Sequence, residues 1–344
     1  MKKLTTILLT TMICFVSINA SAQTFDEYFE DATLRLDYIF AGNSKKQSIY
    51  LEGMKKQDRW AGRKSRLSEK FLNGNGQVTV KDHASQQIIY ITTFSTLFQE
   101  WLLQEEANKI DKAFETSYNI PFPKNEIDVT VTLTDNHHAV TAEMTHTVNP
   151  KDILIREIGA NGIPFHYVWK GQQTTGNQQW ADSNEPRNGK GRNYIATEYN
   201  PFENVNITDC IDLAIVAEGY TQEQMGKFYH DCQRATDALF EREPFKSLKN
   251  RFNVVAVASP SQKSGPTVPH KGVWNSTAAG THYDTFYSDR YLVSQEMHRI
   301  YDILSGVPLE HIIVHVNSDT YRGGGIYNQV THSTNNHPTF KEVF

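Results

Sequence analysis

Hydrophobic and polar residues alternate in short runs through the first half of the chain. Thr33-Leu34-Arg35-Leu36-Asp37-Tyr38-Ile39-Phe40 has an apolar residue at every second position and stops at Gly42-Asn43. Residues 48–51 repeat the pattern, Asn73-Gly74-Asn75-Gly76 marks a turn before Val78-Thr79-Val80, and residues 87–94 are rich in Ile, Tyr and Thr. Residues 128–133 and 139–144 alternate again on either side of Asp135-Asn136, which reads as a hairpin turn. Period-two runs between turn residues predict strands with one buried face, and their regular spacing predicts an all-β sandwich or barrel over residues 23–170. Only residues 100–114 carry enough Leu, Glu, Lys and Ala to predict a helix.

Periodicity is lost across 171–204, where Gly171-Gln172-Gln173-Thr174-Thr175-Gly176-Asn177 and Asn188-Gly189-Lys190-Gly191-Arg192-Asn193 read as a linker. From 205 the pattern becomes strand, helix, strand. Ile211-Asp212-Leu213-Ala214-Ile215-Val216-Ala217 is an almost unbroken apolar run, as suits a strand covered on both faces. Thr221 and Gln224 form a capping box for a helix with Met225, Phe228, Cys232, Ala235 and Leu239 at helical spacing. Residues 252–258 predict a second strand, 292–304 a helix and 312–316 a third strand. The loop 259–280 is long for a compact domain, which usually signals a functional role. A glycine-rich extended segment, 321–332, follows.

The first 22 residues change the picture of where the protein works. Lys2 and Lys3 precede an uncharged apolar stretch over 4–18, and Ala20-Ser21-Ala22 supplies small residues for cleavage after Ala22. A signal peptide over 1–22 places the mature chain in the periplasm or outside the cell. No later run reaches 18 apolar residues, so no membrane span is expected after its removal. The net charge of −5 over 344 residues provides none of the basic excess that nucleic-acid binding requires. Cys210 and Cys232 remain in the mature chain. An exported pair admits a disulfide, but one opens a strand and the other lies well into the next helix, which favours two buried thiols.

Candidate chemistry is sparse. His137-His138 and His146 sit beside a turn and on an alternating strand, where histidines are usually solvated. His311 and His315 are four apart on a strand, a span of about 13 Å, and His332 and His337 are off the helical i, i+4 spacing. His282, Asp284 and Asp289 share a loop that could offer oxygen ligands to Ca²⁺. Glu218 ends the first strand of the second half and could be catalytic, although a capping or solvated role is the simpler reading. No G-x-S-x-G and no Cys–His pairing supports serine or cysteine hydrolysis.

Several segments resemble the immunoglobulin-A peptidase family of zinc metallopeptidases. They are Leu213-Ala214-Ile215-Val216-Ala217-Glu218-Gly219-Tyr220-Thr221, Glu243-Pro244-Phe245, Phe252-Asn253-Val254, Thr281-His282-Tyr283-Asp284-Thr285-Phe286-Tyr287, Val316-Asn317-Ser318 and Gly323-Gly324-Gly325-Ile326-Tyr327. The resemblance implies a multidomain chain: an N-terminal all-β sandwich followed by an α/β zinc-metallopeptidase-like domain over 205–344. It implies Zn²⁺ as cofactor, held by a His-Glu-x-x-His helix whose Glu is the general base. That motif occurs nowhere in the 344 residues. No catalytic or zinc-ligating residue can therefore be carried over, and the peptidase domain is expected to be incomplete and inactive alone.

The resemblance assigns Gly323, Gly324, Gly325, Ile326 and Tyr327 to an edge strand that pairs with peptide substrate, since glycines admit another backbone. The implied partner is a protein or glycoprotein, with immunoglobulin A a candidate. Two other readings stand beside it. One is a secreted glycan- or glycoprotein-binding β-module with a non-catalytic α/β remnant. The other is a gene fragment whose 205–344 part exposes an uncovered apolar face.

Overall fold

The computed structural model describes residues 24–171 and 210–335; the expected export signal with Ala22, residues 172–204 of the expected linker and His337 lie outside them. After a single turn, α1 (Phe25–Tyr28), the chain forms β1 (Phe29–Gly42), β2 (Gln47–Asp58), β3 (Gly76–Asp82) and β4 (Ile88–Phe94). β5 (Lys112–Pro123), β6 (Ile127–Thr134), β7 (Val140–Val148) and the short β8 (Arg156–Glu157) complete two four-stranded sheets, β5-β1-β2-β8 and β4-β3-β6-β7. Alternation does the work its pattern predicts. Ile127, Val129, Val131 and Leu133 of β6 are buried, and they share one core with Leu34, Leu36, Tyr38 and Phe40 of β1. Aromatic rings fill the space between the sheets, with Phe94 and Tyr118 centroids 4.1 Å apart.

The helix expected over 100–114 is absent. Its place is taken by α2 (Leu97–Trp101), a 3₁₀ turn at Glu105–Asn108, and then β5. Thr96 caps α2 by accepting from the Gln99 amide at 3.2 Å, and Gln104 is already extended. Helix propensity in the 100–114 stretch gives way to burial: Phe114, Tyr118, Ile120 and Phe122 of β5 reach the sandwich core only from a strand.

The second half is a six-stranded mixed sheet. β9 (Phe165–Trp169), β10 (Ile211–Glu218), β11 (Phe252–Val257), β12 (His311–Val316), β13 (Gly323–Ile326) and β14 (Val330–Thr334) lie in the order β13-β14-β12-β10-β11-β9. β10 runs parallel to β11 and β12, β12 runs parallel to β14, and β9 and β13 pair antiparallel at the two edges. β9 belongs here and not to the sandwich, where the sequence pattern had placed all residues up to 170. α3 (Met225–Phe240) covers one face through Met225, Phe228, Cys232 and Leu239, and a short α4 (Phe245–Leu248) follows it. The Gln224 side chain accepts from the Thr221 amide at 3.0 Å, as the capping box requires. Cys210 and Cys232 are both buried, and no disulfide joins the two.

The opposite face is covered by Ala278, Ala279, Leu292 and α5 (Met297–Ile303). Among the described residues the uncovered apolar face expected of a fragment is therefore not present: Ala214, Val216, Val255, Val257 and Val314 are all buried. α5 starts five residues later than the 292–304 pattern predicts. His282 and Val293 instead exchange backbone hydrogen bonds at 3.0 and 3.3 Å, which holds that stretch extended.

The two halves meet through polar side chains on the outer face of β1. Arg35 is fully buried and donates to Asp37 at 2.6 Å, to Asp302 of α5 at 2.5 Å and to the His298 carbonyl at 2.9 Å. Lys55 bridges Asp37 and Asp302, and the Ser117 hydroxyl donates to Asp37 at 2.6 Å.

A second polar group sits where β10 begins and the chain enters β12. The Asp212 amide donates to Glu310 at 3.2 Å, and Asn253 donates to one Asp212 oxygen at 2.9 Å. The other oxygen has no hydrogen-bond partner among the described residues. Burial pushes Asp212 up to about 7, and burial with the charge of Asp212 pushes Glu310 up to about 8. In the unfolded chain both carboxyls titrate near 4, so the folded protein holds extra protons between about pH 4 and pH 8. Stability is therefore expected to fall as pH rises through that window. Asp212→Asn is expected to flatten the fall, read as urea midpoints at pH 5 and pH 9. Identical midpoints for the wild type at both values would contradict this.

Candidate functional site

The five residues assigned to an edge strand lie at the rim of the six-stranded sheet. β13 pairs only with β14 within the sheet, in the register Gly323–Ser333, Gly324–His332, Gly325–Thr331 and Ile326–Val330. Tyr327, Asn328 and Gln329 form the connecting loop. Asn328 adopts the left-handed conformation (φ 50°) that the third position of a type II turn needs, and the Gln329 amide closes the turn on the Ile326 carbonyl at 3.1 Å.

The glycines serve close packing within the chain itself. A Cβ on Gly323 would lie 2.6 Å from the His332 carbonyl oxygen, and one on Gly324 would lie 2.6 Å from the Tyr291 ring. Gly325 is exposed, and a Cβ there would have ordinary clearance, with Thr331 Oγ1 at 3.7 Å. On its outward side Gly323 forms a parallel bridge with Tyr291. Of the three glycines, Gly325 alone is exposed at the rim, Gly323 and Gly324 being half-buried.

The sandwich grips the tip of this hairpin. The Ser95 amide donates to the Tyr327 carbonyl at 2.9 Å, and Asn328 Nδ2 donates to the Thr93 carbonyl at 2.7 Å. Gln329 Nε2 donates to Thr116 Oγ1 at 2.6 Å, and Ile326 packs into the sandwich core. Sequence reasoning did not anticipate this seating. Tyr327, Asn328 and Gln329 look like an ordinary polar turn, and their partners lie more than 200 residues away.

Two histidines lie beneath the hairpin. His332 Nε2 accepts from the Ser294 amide at 3.0 Å, and His315 Nδ1 lies 3.2 Å from Ser333 Oγ. Burial lowers His315 to about 4 and His332 to about 3, so both are neutral at physiological pH.

Glu218 is neither a cap nor solvated, which corrects the simpler sequence reading. It is fully buried, and its carboxylate accepts from Thr277 Oγ1 at 2.6 Å, the Ala279 amide at 2.6 Å and the Thr281 amide at 2.8 Å. Burial raises its pKa, against the opposing hydrogen bonds. The long loop after β11 is thus folded around one buried carboxylate at the end of β10.

A polar knot lies near the carboxyl ends of β10, β12 and β14. Asp231 accepts from the Tyr220 hydroxyl at 2.9 Å, Lys227 at 2.9 Å and Asn335 at 2.6 Å, while Asn317 donates to the Gly219 carbonyl at 3.0 Å. The Lys227–Asp231 spacing on α3 was the only visible signal, and such a pair usually marks a solvated helix face.

The Ca²⁺ loop is not assembled. Asp284 is taken by His270, with Nδ1 at 2.8 Å, and Asp289 by Arg322 at 3.4 Å, while His282 faces the Tyr283 carbonyl. In the sandwich, His146 lies 2.7 Å from the Tyr38 hydroxyl. Among the described residues no group of three or more His, Cys, Asp or Glu is arranged to hold a metal ion, so they do not fit zinc.

Residues 24–145 match the family described as Peptidase M64 N-terminus, and residues 201–341 match the one described as IgA Peptidase M64. No curated protein matches the chain. The first match covers most of the sandwich, and the second takes in β10 to β14 with the loop folded on Glu218. Two domains of one peptidase family thus follow each other in the order the chain's own architecture shows, and the chain belongs to the IgA peptidase M64 family.

Proposed function

We propose that this protein is an exported chain of the IgA peptidase type that binds an extended stretch of protein or glycoprotein substrate along β13. The observation that carries this reading is the exposed Gly325 at the rim of an antiparallel edge strand whose tip is clamped by the sandwich. A backbone held rigid at both ends offers N–H and C=O groups to a second extended chain with little loss of its own freedom. Export rests on Lys2, Lys3 and the Ala20-Ser21-Ala22 cleavage site; no helix among the described residues is long and apolar enough to cross a membrane. Immunoglobulin A is one candidate substrate.

Zinc would supply Lewis-acid activation of water in the family's reaction. No step through it is assigned to this chain, because the described residues provide no ligand set and His-Glu-x-x-His is not in the sequence. The contribution we assign to the chain is orientation of the peptide: β14 fixes the register of β13, while Asn328 and Gln329 fix its end. The test is unfolded casein offered to the 344-residue chain. It is expected to bind and to slow hydrogen exchange at residues 323–327. Binding that leaves those amides unchanged would move the substrate site elsewhere.

A further inference from the structure

Building on the reading of β13 as a peptide-binding edge, we propose that segment 284–291 is a strap that closes this edge and lifts before an extended chain can pair with it. β14 occupies the inner side of Gly323, and the outward side bridges Tyr291 in parallel. The Tyr291 ring also fills the space beside Gly324. An incoming peptide thus meets a site whose first backbone position already has an intramolecular partner.

The strap is held by a few contacts. Asp284 accepts from His270 Nδ1 at 2.8 Å and from the His270 amide at 3.0 Å. Arg322, the residue before Gly323, donates through Nε to the Asp289 carbonyl at 2.8 Å. The Tyr291 hydroxyl donates to Glu100 of the sandwich, and Phe286 packs edge-on to Phe114. Between these anchors three residues that are not glycine sit in the left-handed region: Asp284 (φ 60°), Phe286 (φ 54°) and Tyr287 (φ 61°). An aspartate tolerates that conformation, but the bulky side chains of Phe286 and Tyr287 hold it only against strain, which persists where the surroundings enforce it and often marks a switch. Tyr287, at 89% exposure, has almost no packing to compensate. The strands beneath are buried on both faces. A strained segment on half-exposed anchors opens before such a sheet does.

The test measures binding of fluorescein-labelled unfolded casein to three forms of the full chain. His270→Ala with Arg322→Ala removes two latches. Tyr287→Asn places at an exposed left-handed position a residue that tolerates it. If only the open form binds, apparent affinity scales with its population. The double variant is expected to bind roughly threefold to tenfold more tightly than wild type, with faster hydrogen exchange in 284–291. Tyr287→Asn is expected to bind about twofold more weakly, with slower exchange there. Equal affinity in all three forms would overturn the strap and leave the edge reading standing. No binding in any form would overturn the edge reading and the strap with it. Should the double variant fail to fold, the direction of the Tyr287→Asn change decides alone.

Discussion

Replacing Arg35 by Met is expected to destabilise the protein by about 3–5 kcal/mol, the usual cost of removing one partner from a buried ionic group. Arg35 has no exposed side-chain surface, and its guanidinium reaches Asp37, Asp302 and the His298 carbonyl together. Met fills much the same volume, so the loss reflects charge and hydrogen bonds more than a cavity. Asp37 would keep Lys55 and the Ser117 hydroxyl. The His298 carbonyl would lose the donor on which α5 rests. Because the sandwich and the six-stranded sheet share this network, the loss should appear in the unfolding of both halves. Tryptophan fluorescence offers a probe in each, through buried Trp101 in the sandwich and Trp169 in β9. Unfolding of the two halves at separate midpoints in the wild type would show that the network does not join them.

The second large effect is expected at Glu218. Glu218→Gln should cost about 2–4 kcal/mol and release the loop after β11 to proteolysis. The Ala279 amide donates to one carboxylate oxygen and the Thr281 amide to the other. A glutamine must therefore turn its NH₂ against one of those N–H groups, whichever way it is placed, and leave a buried donor unmet. Thr277→Val removes one hydroxyl donor and should cost only about 1 kcal/mol. The contrast between the two variants, in urea midpoint and in cleavage within residues 259–282, is the measurement. Equal midpoints for Glu218→Gln and wild type would contradict the assignment.

Strand period was the most legible feature of the sequence. Alternation fixes which face of β1, β3 and β6 enters the core, and no distant partner is needed to read it. The almost unbroken apolar run of β10 likewise announced a strand covered on both faces. The failures share one physical cause, which is tertiary context. Helix formers in 100–114 were outweighed by aromatic residues that reach the sandwich core only from a strand. Leu292 and Val293 were held extended by pairing with the loop at His282. Charged letters misled in the same way. Arg35, Asp37 and Glu218 look solvated on composition, yet all three are buried with partners from distant parts of the chain, and Asp231 of the surface-like Lys227–Asp231 pair is buried against Asn335. At the candidate site, the family resemblance pointed to the glycine run as an edge strand, but nothing pointed to the clamp from Thr93, Ser95 and Thr116.

Turnover of the same unfolded casein tests most directly the claim that this chain supplies the substrate side of a peptidase and not its metal centre. The purified 344-residue protein is incubated with casein, with and without Zn²⁺ and a chelator, and new amino termini are counted. The account predicts binding without cleavage in every condition. Cleavage that depends on zinc and stops with the chelator would contradict it.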